Sequence, residues 1–280
     1  MKRIVVVGGI DFVASMVVEK LRGRGYEAVA ALDANTLTGE RLAKAVRGAA
    51  VVIVVCKSQS RDDAALLRFF ETSTRNILDY SLRAGVGHLV AFSVVGGDRL
   101  PDSGYLRAKN REEELIANSS IPFSMVRTTQ LFESIAGIAD DATHYSTVLL
   151  PPVLVQPVAA SDVASTVTTI ALAGPVVGAI EVAGPEQFCF NELVQRHLIG
   201  RGVQRVVVGD PYAHYLGTEL DHQSLLPGDS AVLGTTCYEE WFTGSAGKAR
   251  GDVSMDGSQS RVGVGTRESN GGDPGRAVRR

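Results

Sequence analysis

The stretch from Arg3 to Arg22 reads RIVVVGGIDFVASMVVEKLR, and its reading decides the fold. Ile4 to Val7 is an apolar run that stops at Gly8-Gly9; after it Phe12, Met16, Val17 and Leu21 recur at helical spacing. A continuous apolar run that gives way to a 3.6-residue period across a glycine turn reads as strand, tight turn, helix. That unit opens a doubly wound α/β sheet, in which the helix N-terminus faces a phosphate-bearing ligand. The glycine fingerprint that fits this spacing wants glycine at positions 8, 11 and 14, where the chain has Gly8, Asp11 and Ala14. Alanine serves at the third position, which only needs close packing of helix on strand. Asp11 adds bulk and negative charge at the second, where the backbone would approach a pyrophosphate. In one reading Asp11 caps the helix from within, worth about 1 kcal/mol. In the other a dinucleotide still binds with its pyrophosphate shifted, against a repulsion of several kcal/mol between like charges about 4 Å apart.

Outward from this unit, strand and helix signals alternate. Glu27 to Leu32 reads as a second strand ending at Asp33, residues 38–48 as a short amphipathic helix, and Ala50 to Val55 as a fully buried parallel strand. Residues 62–84 read as a helix with Leu66, Leu67, Phe69, Phe70, Ile77 and Leu78 on its buried face. His88 to Phe92 is a strand finishing at Ser93; a helix follows from Tyr105 to Ala117, then a strand from Pro122 to Arg127. This rhythm predicts a parallel sheet with right-handed crossovers. Beyond residue 128 it loosens, with strands expected at Val153 to Val158, Ala179 to Val182 and Arg205 to Val208. Helices are expected at 163–173, capped by Asp162, and at 191–198. The expected division is a Rossmann-like dinucleotide-binding core over 1–127 and a small C-terminal substrate region over 128–243 that completes the fold. Residues 244–280, rich in Gly, Ser, Asp and Arg, bury too little apolar surface to offset their ordering entropy and read as a disordered tail.

Bulk composition excludes several classes. The chain has 280 residues, 45% hydrophobic and 21% charged, with a formal charge of −3, an ordinary soluble balance. Basic residues around Lys109 are matched by Glu112, Glu113 and Glu114, so no nucleic-acid stripe is expected. Cys56, Cys189 and Cys237 lack pair spacing, which leaves no disulfide framework and no zinc site. No apolar run approaches the ~20 residues that span a bilayer. The run after Met1-Lys2-Arg3 breaks too early for a signal peptide, so a cytoplasmic protein with a small-molecule partner and no membrane is expected. Oligomeric state is not legible.

Several motifs, taken in order, resemble the NmrA-like, atypical members of the short-chain dehydrogenase/reductase superfamily. They are Val5-Val-Val-Gly-Gly with Phe12-Val13, then Tyr105-Leu-Arg-Ala-Lys109 with Glu112-Glu-Glu-Leu115. Ile121-Pro122 and Val126-Arg127-Thr-Thr-Gln-Leu-Phe-Glu133 follow, then Gln156-Pro157-Val158 and Ser161-Asp162-Val163-Ala164. The resemblance covers about residues 3–243 and implies a Rossmann domain binding NAD(P) with a smaller substrate region. Relatives of this kind range from quinone and carbonyl reductases to silent sensors of nucleotide redox state.

Against that background, candidate residues fall into three groups. Gly8, Gly9, Asp11, Phe12, Val13 and Lys109 would hold the nucleotide. Asp33, about 20 residues beyond the glycine turn, would accept the ribose hydroxyls of NAD and repel the 2′-phosphate of NADP, or else simply forms the turn Asp33-Ala-Asn35. Ser93, Tyr105 and Lys109 resemble the catalytic set of short-chain dehydrogenases. Tyr105 and Lys109 share a helix face, and the ammonium would lower the phenol's pKa from ~10; alternatively Lys109 pairs with Glu113. Thr129, Gln130 and Phe132 would line the substrate pocket with Thr128, or form a packed loop with Phe132 as core. His144, Tyr145, His214 and Tyr215 could reach a substrate, and Cys56 reads as a small buried filler. Three functions are compatible with this set: an NAD(P)-dependent oxidoreductase on a small carbonyl, quinone or enone, with NAD favoured; a redox-neutral isomerase, cyclase or lyase without dinucleotide; or a non-catalytic nucleotide sensor.

Overall fold

Ile4, Val6, Val51, Ile53, Val90 and Val126 are buried on one face of a sheet, and Val5, Val7, Val52, Val54, Leu89 and Ala91 on the other. A strand covered on both faces has to be apolar at every position, which is why these segments read as unbroken runs. In the computed structural model, which describes residues 2–8, 12–58 and 60–253, the first half runs β1 (Arg3–Val7), α1 (Phe12–Gly23), β2 (Glu27–Ala30), α2 (Leu42–Val46) and β3 (Ala49–Val54). It continues with α3 (Asp63–Arg83), β4 (His88–Val94), α4 (Gly104–Ala117), β5 (Phe123–Thr128) and, after a single 3-10 turn, α5 (Ile135–Asp141). The second half adds β6 (Thr143–His144), β7 (Thr147–Leu150), β8 (Leu154–Val155), α6 (Ala160–Ala173), β9 (Gly178–Ala183) and β10 (Phe188–Cys189). It ends with α7 (Phe190–Gly200), β11 (Val206–Gly209), β12 (Val232–Leu233) and α8 (Tyr238–Val253).

The central sheet has seven parallel strands in the order β12-β9-β5-β4-β3-β1-β2. α1 and α6 cover one face, while α2, α3 and α4 cover the other. The strand order reverses between β1 and β3, the crevice where open α/β sheets bind ligands. A sheet of order 3-2-1-4-5-6 carries one more strand outside β2; here the chain passes from β2 through α2 straight to β3, so β2 is an edge. The later half is interleaved with the first, because β9 and β12 extend the main sheet. β6, β7 and β11 form a small separate sheet, and β8 pairs only with β10.

Several local expectations are corrected. In α1 the buried stripe is Val13, Ala14, Val17, Val18 and Leu21, while Phe12 is 68% exposed. The helix expected at 38–48 shrinks to α2, because Asn35 Oδ1 accepts from the Leu37 and Thr38 amides and Arg41 takes a left-handed φ of 62°. On α3, Leu67 turns to solvent while Ser73 and Thr74 are buried. The strand expected over Val153 to Val158 survives only as β8, flanked by prolines that cannot donate to a ladder. Asp162 lies inside α6 rather than before it, and its Oδ2 accepts from the Thr235 and Thr236 amides at 2.9 Å each. The first amide of α6, that of Ala160, goes instead to Glu133 at 3.1 Å.

Residues 1–241 form one compact unit and 242–280 another. Helix α8 runs to Val253, past the point where composition changes, so the tail expected from 244 begins as helix. Residues 254–280, together with Gly9 and Asp11, lie outside the described residues, as therefore does the proposed cap or clash at position 11.

Candidate functional site

The site is built at the carboxyl ends of β1, β3 and β4. Gly8 leaves β1 with a φ of +103°, and a Cβ placed on it would stand 2.8 Å from Cys56 Sγ and from the backbone of Val55. Only glycine fits this left-handed corner, which packs against the end of β3. Phe12 stands exposed at the start of α1, whereas Val13 turns its side chain into the core, leaving its backbone N–H as the group available to a phosphate. This corner at the point of strand reversal fits a dinucleotide as far as the described residues go. Among them no cluster of side chains could hold a metal.

Beside this corner lies a buried polar group. Burial, followed by the charge of Glu112, pushes the Cys56 thiol up to about 12, with Lys109 opposing, so it stays protonated and is no nucleophile. Lys109 is 4% exposed; its Nζ donates to Phe92 O at 2.7 Å and to the Glu112 carboxylate, and stands 4.9 Å from the centre of the Phe70 ring. Glu113 is not its partner, because that carboxylate takes Arg127 in a bidentate pair at 3.0 and 2.6 Å. Burial works against the ammonium, but Glu112, with Tyr105 and Cys56 adding to it, holds the Lys109 pKa above its ordinary value. Lys109 does pull the Tyr105 phenol down as expected, but it is outweighed. Burial raises the phenol's pKa, Lys109 pulls the other way, and Glu112 adds to the rise.

Ser93 follows the residue whose carbonyl holds Lys109, and strand alternation puts it on the α4 face with Leu89 and Ala91. Tyr105, in the first turn of α4, packs against Phe70 with ring centres 6.1 Å apart and lines a pocket of about 420 Å³. The opposite wall comes from the loop carrying His214, Tyr215 and Leu216, with Ile138 and Leu66 between. That loop is fastened to α4: Ser103, the N-cap, accepts from the Leu106 amide at 3.3 Å and donates to Leu216 O at 2.7 Å. Sequence reading grouped Tyr215 with the histidines as a residue within reach; its fastening by Ser103 carries no local signal.

The three residues expected to line the pocket separate. Thr129 is buried and donates to Gln156 O at 2.6 Å, tying the end of β5 to the chain before α6. Phe132 is fully buried, with ring centres 5.5 Å from Tyr238 and 5.3 Å from Trp241, so its place is the core. Gln130 is buried beside the Tyr215 phenol, and its Oε1 has no hydrogen-bond partner among the described residues. At the other end of the crevice Asp33 follows β2, exposed, with Arg41 Nη1 3.7 Å from its carboxylate. His144 and Tyr145 lie outside this pocket's lining. No described helix is long and apolar enough to cross a membrane.

Solved structures share this architecture. A short-chain dehydrogenase/reductase superfamily protein from Agrobacterium tumefaciens with bound NAD is 15% identical, matching 91% of this chain and 99% of that one at a TM-score of 0.66. A dTDP-glucose 4,6-dehydratase from Streptomyces venezuelae with NAD bound is 16% identical over 89% and 98% of the two chains, at 0.67. An NADPH-dependent quinone oxidoreductase from Escherichia coli is 15% identical over 87% and 99%, at 0.61. At such identities the likeness is one of fold. No curated protein matches the chain in sequence at a significant level. The sequence profile of the NAD(P)H-binding family, however, matches residues 12–173, more than half of the length, and agrees with the resemblance read from the motifs: the chain belongs to the NAD(P)H-binding family of Rossmann-fold proteins.

Proposed function

We propose that the protein is an NAD(P)H-dependent reductase of a small uncharged carbonyl compound such as a quinone or enone. The observation that carries this reading is Tyr105. It stands in the wall of a pocket at the carboxyl end of the sheet, with Leu66, Ile138 and Leu216 as its apolar neighbours there. The nucleotide, when bound, supplies the hydride; Gly8, the start of α1 and Asp33 would hold it. Tyr105, kept as a neutral phenol by burial, donates a hydrogen bond to the carbonyl oxygen, and Ser93 Oγ offers a second donor. The loop at Leu216 supplies one wall of the pocket. NAD is the favoured nucleotide, since Asp33 suits two ribose hydroxyls and Arg41 is already engaged with it.

A second reading, a nucleotide sensor without turnover, is favoured by Lys109. Its ammonium is sealed between Phe92 O and Glu112 rather than presented to a nicotinamide ribose. Fluorescence titration with NADH and NADPH, followed by loss of nucleotide absorbance with 1,4-benzoquinone, tests both. Turnover abolished by Tyr105→Phe with folding intact supports the reductase. Nucleotide binding without turnover supports the sensor, and no response at millimolar nucleotide rejects both.

A further inference from the structure

The pocket has two phenols rather than one, and its construction explains why. Tyr215 faces it from a loop that a single-residue contact could not order, yet the loop is held at several points. Ser103 takes Leu216 O at 2.7 Å, the Tyr215 and Thr218 backbones bond each other at 2.9 and 3.2 Å, and the Tyr215 ring sits edge-on to Phe190 with centres 5.1 Å apart. Tyr215 is therefore placed as firmly as Tyr105, which is carried by a helix. Gln130, 8% exposed, lies behind the Tyr215 oxygen with an amide oxygen that no described residue satisfies. Its side chain bonds the Tyr215 phenol and so fixes the direction of that hydroxyl. The charged residues at the rim form exposed ion pairs, Asp63 with Arg107 at 2.7 Å and Arg61 with Asp141.

We propose that Tyr215 is a substrate-contacting residue whose phenol converges with that of Tyr105 on one carbonyl oxygen, selecting compounds in which that carbonyl is conjugated to a flat apolar body. This rests on the reductase reading above. Leu66, Ile138 and Leu216 form the apolar walls that such a body would meet. As negative charge grows on the oxygen, two fixed donors in a water-poor pocket stabilise it without reorganising. Burial raises both phenols' pKa values, so both keep the proton they donate.

The test uses 4-nitrophenol, whose anion carries a charged oxygen conjugated to a flat ring, titrated into the full-length chain and followed by its visible absorbance. Binding should be weakened about tenfold or more by Tyr105→Phe and by Tyr215→Phe alike, since each removes a hydrogen bond to a charged acceptor. The double variant should lose less than the product of the two. Should Tyr215→Phe fail to fold, Ser103→Ala, which frees the loop without touching the probe, should weaken binding in the same direction. Wild-type chain that ignores the probe, or a Tyr215→Phe or Ser103→Ala protein that binds it as wild type does, overturns the proposal. Protein that binds NADH or NADPH but not the probe refutes the two-phenol pocket alone. Protein that binds the probe in a Tyr215-dependent way but no nucleotide refutes the reductase reading alone.

Discussion

The Lys109 ammonium lies against the Glu112 carboxylate beneath the pocket, while Glu113, its neighbour in sequence, serves Arg127 on β5. The lysine's charge is thus paired by a residue three positions along its own helix, and burial outweighs that cation's pull on the Tyr105 phenol.

Both side chains of the pair are nearly out of water, at 5% and 2% exposure. Removing one partner strands the other. Glu112→Gln should lower unfolding stability by about 3–5 kcal/mol in urea titrations, and Lys109→Met with Glu112→Met should recover most of that loss. Equal stability of wild type and Glu112→Gln would show that the pair is not sealed.

Gly8→Ala should be costly twice over. The φ of +103° strains any L-residue, and the new Cβ would press on the Val55 backbone at 2.8 Å, which cannot swing aside. A loss of more than about 1 kcal/mol in urea midpoint is expected, together with weaker nucleotide binding.

Acid should unfold the protein in a window set partly by His197. Burial, with Arg201 adding repulsion, lowers its pKa from 6.5 to about 4 in the folded chain. As pH falls through 6.5 the unfolded chain takes up a proton that the folded chain refuses until about 4, so stability falls across that interval and this contribution levels off below it. His88, lowered in the same sense by burial, adds to the slope. Urea midpoints measured at intervals from neutral pH down to 4 should decline, and His197→Gln should flatten the decline; a flat profile in the wild type would contradict the assignment.

Asp33 and Arg41 should set nucleotide choice between them. Asp33→Ala removes the carboxylate that occupies Arg41 and frees the guanidinium for a 2′-phosphate. NADPH affinity relative to NADH should rise about tenfold or more in fluorescence titrations. Arg41→Ala in the same background should reverse the gain. An unchanged ratio would place the ribose elsewhere.

What could be read beforehand depended on where each residue's partners lie. β1, β3, β4 and β5 were legible because burial on both faces demands unbroken apolar runs, and Gly8 because its turn is local. The missing strand outside β2 was not legible, since Asn35 and Gly39 mark a turn without saying which neighbour the next strand will choose. Phe132 and Asp162 were ambiguous for another reason. Their partners, Trp241 and Thr235, come from the far end of the chain. Choosing Glu112 over Glu113 as the mate of Lys109 depended on the direction of a helix face, which spacing alone leaves open by one residue.

Ser103 and Leu216 are 113 residues apart. During synthesis, then, the strands of the first half and Tyr105 emerge long before the loop that walls the cavity, and a nascent or nicked chain ending short of that loop would lack one of its sides. The same separation works over evolutionary time. Tyr105 and the loop that faces it come from distant passages of the polypeptide, so the lining of the cavity can be recut in a few loop residues while the sheet goes on undisturbed.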